Sequence, residues 1–244
     1  MGQSVSGDGA IETATAPDAR YEVIAGVTVS TEIKLDGRLD DEAWQSVAPA
    51  SSFIQFSPAA GQPATETTEA RVIVVDGAVF VGMRMSDTQA SGIDVQLARR
   101  DEERTTDLAS VILDSYDNDV SAFHFQVSPA GVQRDVLWYD DIRQDASWDA
   151  VWDVAVTTDE DGWTAEFKIP LSQLRFTGGP GPHTWGIQFS RTHFRTSEVT
   201  YWAELTPGVF GRVSRFGSIR IDAELDAPRA LEVVPYVANT VTRE

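Results

Sequence analysis

The chain contains no cysteine, which removes disulfides, zinc-thiolate centres and cysteine nucleophiles from consideration. Basic residues are also scarce, with 19 Lys or Arg against 38 Asp or Glu and a net charge of −19. Affinity for a phosphate backbone comes mainly from clustered Lys and Arg, so a nucleic-acid partner is excluded and an anionic membrane surface disfavoured. No apolar run reaches the roughly 18 residues of a transmembrane helix. GxSxG, HExxH and a phosphate loop are missing, and GGPG at 178–181 is a turn without the Lys-Ser/Thr such a loop requires. The three histidines, His124, His183 and His193, are not spaced as a metal cluster, so zinc is not expected. Met83 and Met85 alternate with Val79 and Val81 as core residues and leave no axial pair for haem.

What the chain does have is a core's worth of apolar residues, 42% hydrophobic and 9% aromatic across 244 positions. Segments 71–75, 79–85, 108–113, 121–128, 132–139, 151–157, 163–169, 185–192, 199–205 and 213–221 alternate with a period of two between turn residues. That pattern predicts an all-β fold, an antiparallel sandwich of the immunoglobulin-like or jelly-roll-like kind, with few short helices. Short helices are expected at 40–46, 93–104 and 170–174. Residues 1–20 are small and polar and read as a leader, followed by one sandwich domain over 21–225.

The alternation assigns faces. Phe123, Phe125 and Val127 oppose Ala122, His124 and Gln126; Trp185, Ile187 and Phe189 oppose Gln188, Ser190 and Thr192. If these strands are neighbours, their polar sides make a floor of uncharged donors and acceptors suited to a sugar or another neutral polar ligand. Exposed aromatic rings would complete such a surface, because pyranose C–H faces pack on them. Trp148 and Trp152, beside the acidic stretch 140–149, are candidates, with a role as half-buried loop anchors as the alternative.

Paired carboxylates could hydrolyse a glycoside. Glu166 and Glu204 are the best placed, but Glu166 points away from the apolar face with Thr164 and Lys168, where a solvated ion pair is expected. Asp114, Asp117 and Asp119 place oxygen ligands at short spacing in one loop and are the candidate calcium ligands. Asp36, Asp40, Asp41 and Glu42 form a second acidic cluster, in which Asp40 or Asp41 at a helix start reads as a cap.

The ordered series LDGRLDDEAW (35–44), TEARVIVVDGAVFVGMRMSD (68–87), DLASVILDSYDN (107–118), SAFHFQVSPAGVQ (121–133), DGWTAEFKIPLSQL (161–174), WGIQFSR (185–191) and SRFGSIRI (214–221) resembles the family 9 carbohydrate-binding modules. The segments FSPAAGQPATETTEARV, Arg99-Arg100-Asp101, SPAGVQ and WDAVWDV look like one subgroup, in which the module precedes an outer-membrane β-barrel of unassigned function. Residues 226–244 resemble the opening of that barrel. The resemblance implies a β-sandwich, a glycan or oligosaccharide partner, structural calcium, and a bacterial periplasmic or cell-surface setting associated with the outer membrane. It also implies a clamp of two tryptophans on the sugar, of which Phe210 matches one position in type and Arg104 stands at the other. Ser110, His124 and Ser190 fall where the family's sugar binders carry longer groups. The expectation is a non-catalytic module using Ser110, His124, Gln126 and Ser190 as floor, with Phe210 and Trp148 or Trp152 as platforms. A docking domain for the barrel, and a part in glycoside hydrolysis, are the alternatives.

Overall fold

The computed structural model describes residues 21–24, 26–27, 33–75, 77–97, 99–101 and 105–227. The expected leader, Arg104 and nearly all of the stretch resembling a barrel opening lie outside them.

Among the described residues fourteen strands form: β1 (Glu22–Ile24), β2 (Gly26–Val27), β3 (Ile54–Ser57), β4 (Thr68–Val75), β5 (Ala78–Ser86), β6 (Leu108–Asp114), β7 (Ala122–Val127), β8 (Gln133–Tyr139), β9 (Arg143–Asp145), β10 (Asp153–Asp159), β11 (Gly162–Pro170), β12 (His183–His193), β13 (Glu198–Tyr201) and β14 (Gly217–Ile221). One sheet runs β1-β14-β12-β6-β7-β8-β9, with β13 beside the second half of β12 and β3 beside β13. The other runs β10-β11-β5-β4-β2. All pairings are antiparallel except at two edges, where β1 joins β14 and β2 joins β4 in parallel.

The inner faces are those the alternation assigns. Val72, Val81, Met83, Val111, Phe125, Trp163, Phe167, Trp185, Ile187 and Phe189 interlock between the sheets in one buried cluster. Burying side chains of this size removes about 2 kcal/mol each from unfavourable contact with water, which is why the period-two signal survives in the sequence.

Helical content is smaller than expected. Residues 40–46 yield one turn, α1 (Glu42–Gln45), and 170–174 a 3-10 turn at Leu171–Gln173. Segment 93–104 contributes no helix among its described residues; a 3-10 turn at Ala90–Gly92 precedes it. The expected strand 213–221 begins as a 3-10 turn at Val213–Arg215, so only its second half pairs.

The two outer faces differ. On the five-stranded sheet, α1 and its approach lie across Ile73, Val75, Ala78 and Phe80, with Ala43, Trp44 and Val47 buried against them. Gly82 permits this approach: a Cβ there would meet Leu39 and Trp44. Glu166 holds the cover in place. Its Oε2 accepts the amides of Asp36 and Gly37, and its Oε1 accepts the Trp44 indole N–H. The solvated ion pair expected for Glu166 is therefore corrected to a buried anchor, because residues from 130 positions away cover it. Burial raises its pKa even though three N–H groups oppose the shift. Glu204 is exposed, and the carboxylate that acts on Glu166 is that of Asp36.

Candidate functional site

The nine-stranded sheet keeps part of its outer face accessible. There the registers align Ile54, Tyr201, Ser190, Ser110, Gln126 and Arg134 in one row across β3, β13, β12, β6, β7 and β8. Neighbouring strands lie about 4.8 Å apart, so the row spans roughly 20–25 Å, the length of several sugar rings. Gln126 Nε2 donates to Ser110 Oγ at 3.1 Å, which orients the amide across two strands. Gln126, Ser190, Tyr201 and Arg134 are half-buried; Ser110 is buried beneath them.

One end of the row carries aromatic surface. Phe56 meets Tyr201 edge-to-face at 5.7 Å, and the Arg212 guanidinium lies 4.6 Å from the Phe56 ring centre. Burial raises the Tyr201 phenol, with Arg212 acting in the opposite sense. The phenol is thus neutral at physiological pH, a donor and acceptor rather than a charge. Arg212 arrives on a loop, 206–216, fastened at Asp141: Oδ1 accepts the amides of Arg212 and Ser214, and Oδ2 accepts the Ser214 hydroxyl. This loop packs Val213 and Phe216 on Ile112, Ala122 and Trp138, roofing the next part of the same face.

That roof changes the expected floor. His124 is buried, its Nδ1 accepting the Trp138 indole N–H at 3.3 Å, and burial depresses its pKa to about 3. It is a neutral packing group, not an exposed sugar donor. Trp152 is 3% exposed, stacked on Phe167 at 5.6 Å, with its indole N–H on Asp135. Trp148 packs on Phe123 and Phe125. Both tryptophans thus belong to the core side of β7, the opposite side from the polar row, and the platform expectation for them is corrected. Their acidic neighbours suggested exposure, but Asp135 turns inward and supplies the acceptor that lets Trp152 be buried. Phe210 stands 77% exposed near the tip of the 206–216 loop, two residues from Arg212.

Tyr201, Arg134, Phe56 and Arg212 belong to this candidate site, and reading the sequence did not single them out. Tyr201 and Arg134 lie in segments whose alternation was visible. What alternation does not carry is which strands are neighbours, and only pairing puts these side chains in one row.

The Asp114 loop forms as a turn. Asp114 Oδ2 accepts the amides of Asn118 and Asp119, while its buried Oδ1 has no partner. Its carboxylate oxygens do not converge with those of Asp117 and Asp119; among the described residues the converged ligand set lies elsewhere, at Asp87, Asp107 and His193. As it stands the loop does not fit a calcium cage. Burial, followed by the charges of Asp117 and Asp119, raises the Asp114 pKa to about 6. A carboxyl whose folded pKa exceeds its unfolded value favours folding when protonated and loses that contribution as pH rises from about 4 through 6. Asp114→Asn keeps a carbonyl for the two amides and removes the ionisation cost. It should stabilise the protein at pH 7.5 by about 1–3 kcal/mol and flatten the stability profile between pH 4 and 6, measured by urea unfolding. Loss of stability in this variant only when Ca²⁺ is present would instead show that the loop closes on the ion.

No family model matches the chain, and no curated protein matches it. Solved structures share its fold. A family 9 carbohydrate-binding module from Caldicellulosiruptor kristjanssonii, in complex with cellotriose and again with glucose, superposes with a TM-score of 0.59 at 16% identity, covering 88% of this chain and 100% of that one. A Bacteroides uniformis protein to which carbohydrate binding is ascribed gives a TM-score of 0.63 at 10% identity over 82% of this chain and 98% of its own. At such identities the likeness establishes the fold.

Proposed function

We propose that this domain is a carbohydrate-binding module that holds a neutral glycan along the row Tyr201–Ser190–Ser110–Gln126–Arg134, with Phe56 and Arg212 closing one end. Phe210, exposed on the loop that carries Arg212, is the added aromatic platform. The observation carrying this reading is the row itself, a stripe of half-buried hydroxyl, amide and guanidinium groups at Tyr201, Ser190, Gln126 and Arg134 over the buried Ser110, flanked by aromatic surface. Its chemistry favours a sugar. Hydroxyls pair with Ser190 and Gln126, ring C–H faces pack on Phe56 or Phe210, and nothing in the row demands a charged ligand. Sharing a fold with a family 9 module solved in complex with cellotriose and with glucose supports the class of ligand. The sequence resemblance extends the reading to a bacterial envelope protein in which a barrel region follows the module.

Titration calorimetry with cello- and xylo-oligosaccharides tests the proposal. Binding in the micromolar to millimolar range is expected, weakened about tenfold or more by Gln126→Ala and abolished by Ser190→Trp, which fills the middle of the row. If no neutral oligosaccharide binds, or if Ser190→Trp binds as the wild type does, the site assignment fails. A docking role would then account better for the domain.

A further inference from the structure

The end of the row that carries aromatic surface also carries a positive charge without a carboxylate. With 38 acidic residues for 19 basic ones, an arginine of this chain has acidic partners in plenty. Arg84, Arg100 and Arg195 each hold a carboxylate oxygen, at 2.7, 2.6 and 2.6 Å. Arg212 does not. Among the described residues no carboxylate pairs with its guanidinium, which lies instead over the Phe56 ring, 4.6 Å from its centre. That contact draws on the cation's attraction to the ring and leaves its N–H donors without an oxygen acceptor.

The loop delivers this side chain from a fixed backbone. Asp141 spends its two oxygens on the Arg212 and Ser214 amides and the Ser214 hydroxyl, so it anchors the loop and does not neutralise the guanidinium. Gly211, at φ +95°, makes the turn just before Arg212; a Cβ there would meet Ser214 Oγ and Asp141 Oδ2. Val213, just after it, is buried with Ile112 and Ala122. Arg212 itself is half-buried between these fixed neighbours. Ordering it before a ligand arrives lowers the entropy cost of binding. Beside it stands the Tyr201 phenol, on which Arg212 acts electrostatically. That hydroxyl has no hydrogen-bond partner among the described residues, so it faces the same ligand space as a neutral donor.

We infer that Arg212, with the Tyr201 hydroxyl beside it, recognises the carboxylate of a uronic acid, so that the preferred glycan is a neutral chain carrying one acidic sugar at this end of the row. The inference rests on the row as the sugar site and adds the charge of its ligand. A planar guanidinium can give a carboxylate two parallel N–H···O bonds, and the phenol can give a third. One positive charge matches a monoanion. A phosphate, with close to two negative charges, would meet the same single cation in a chain of net charge −19. Repulsion from the rest of the chain is damped beyond the screening length of about 8 Å at physiological salt, which leaves the local donors to decide.

The test is titration calorimetry on the full chain with xylo- and cello-oligosaccharides bearing one glucuronic acid, each compared with the same molecule after its carboxyl is reduced to the alcohol. The pair is matched in size and differs in charge. The uronate should bind about tenfold tighter at low salt, as a charge-assisted hydrogen bond predicts. Raising salt to about 0.5 M should narrow that ratio to about threefold or less. In Arg212→Gln the ratio should fall to about one, and Arg212→Lys, which keeps the charge without the fork, should restore only part of it. Because the ratio is taken within each variant, a general loss of sugar affinity or of folded protein cancels. A uronate bound no tighter than its reduced form would overturn the inference and leave the sugar site standing, and a preference unchanged in Arg212→Gln would overturn it as well. Failure of both forms to bind on either backbone would remove the sugar site and the inference together.

Discussion

Glu166→Ala should cost about 3–5 kcal/mol of stability, measured by urea unfolding. Glu166 is fully buried, and its two oxygens satisfy three N–H groups from residues 36, 37 and 44. Removing them leaves those donors without acceptors under a cover too tight to admit water freely, and each buried unsatisfied donor costs about 1–3 kcal/mol. Glu166→Gln separates shape from hydrogen bonding. A single amide carbonyl can serve the Asp36 and Gly37 amides or the Trp44 indole, but its NH₂ then faces a donor at the other end. This variant should lose about 2–3 kcal/mol despite its near-identical size. Gly37 makes the arrangement possible, since its φ of +83° and its approach to the Val156–Thr157 backbone leave no room for a Cβ. A loss below about 0.5 kcal/mol in both variants would return Glu166 to the solvated role that its strand position first suggested.

The second large effect is expected at Trp152. Trp152→Ala removes the partner stacked on Phe167 and the edge contact with Phe125, and it strips Asp135 of the indole donor at 2.6 Å. Truncating a buried tryptophan typically costs about 3–5 kcal/mol. Asp135 is itself buried, and the Arg100 guanidinium and the Ala150 amide remain on it, so the carboxylate is not abandoned. Trp152→Phe keeps the stack and should cost about 1–2 kcal/mol. The readout that separates the corrected role from the platform role is sugar affinity. It should be unchanged in Trp152→Phe, because the ring lies on the core side of the sheet.

These cases show what a period-two pattern can and cannot reveal. It fixed the inward set from Val72 to Phe189 because hydrophobic burial acts strand by strand. It also placed Glu166 on the outer face correctly. What it could not supply was the cover, since the residues that bury Glu166 come from the far end of the chain. The polar row was half legible: Ser110, Gln126 and Ser190 share a face by parity, whereas Tyr201 and Arg134 join them only through the order of strands. His124 has the right parity and the wrong accessibility, because the 206–216 loop folds over its part of the face. Asp87, Asp107 and His193 extend alternations already recognised by one step each, so parity alone put them inside; their meeting depends on pairing.

The most direct test of the account is a chemical-shift map of the isotope-labelled protein titrated with cellotriose or another oligosaccharide it binds. The side-chain amide of Gln126 and the backbone amides of Ser190, Tyr201 and Arg212 should move together on one binding curve. The amides around Trp44 and Phe80, on the covered outer face of the other sheet, should stay still. Shifts centred on the covered face or on Trp148, with the polar row unmoved, would contradict the account.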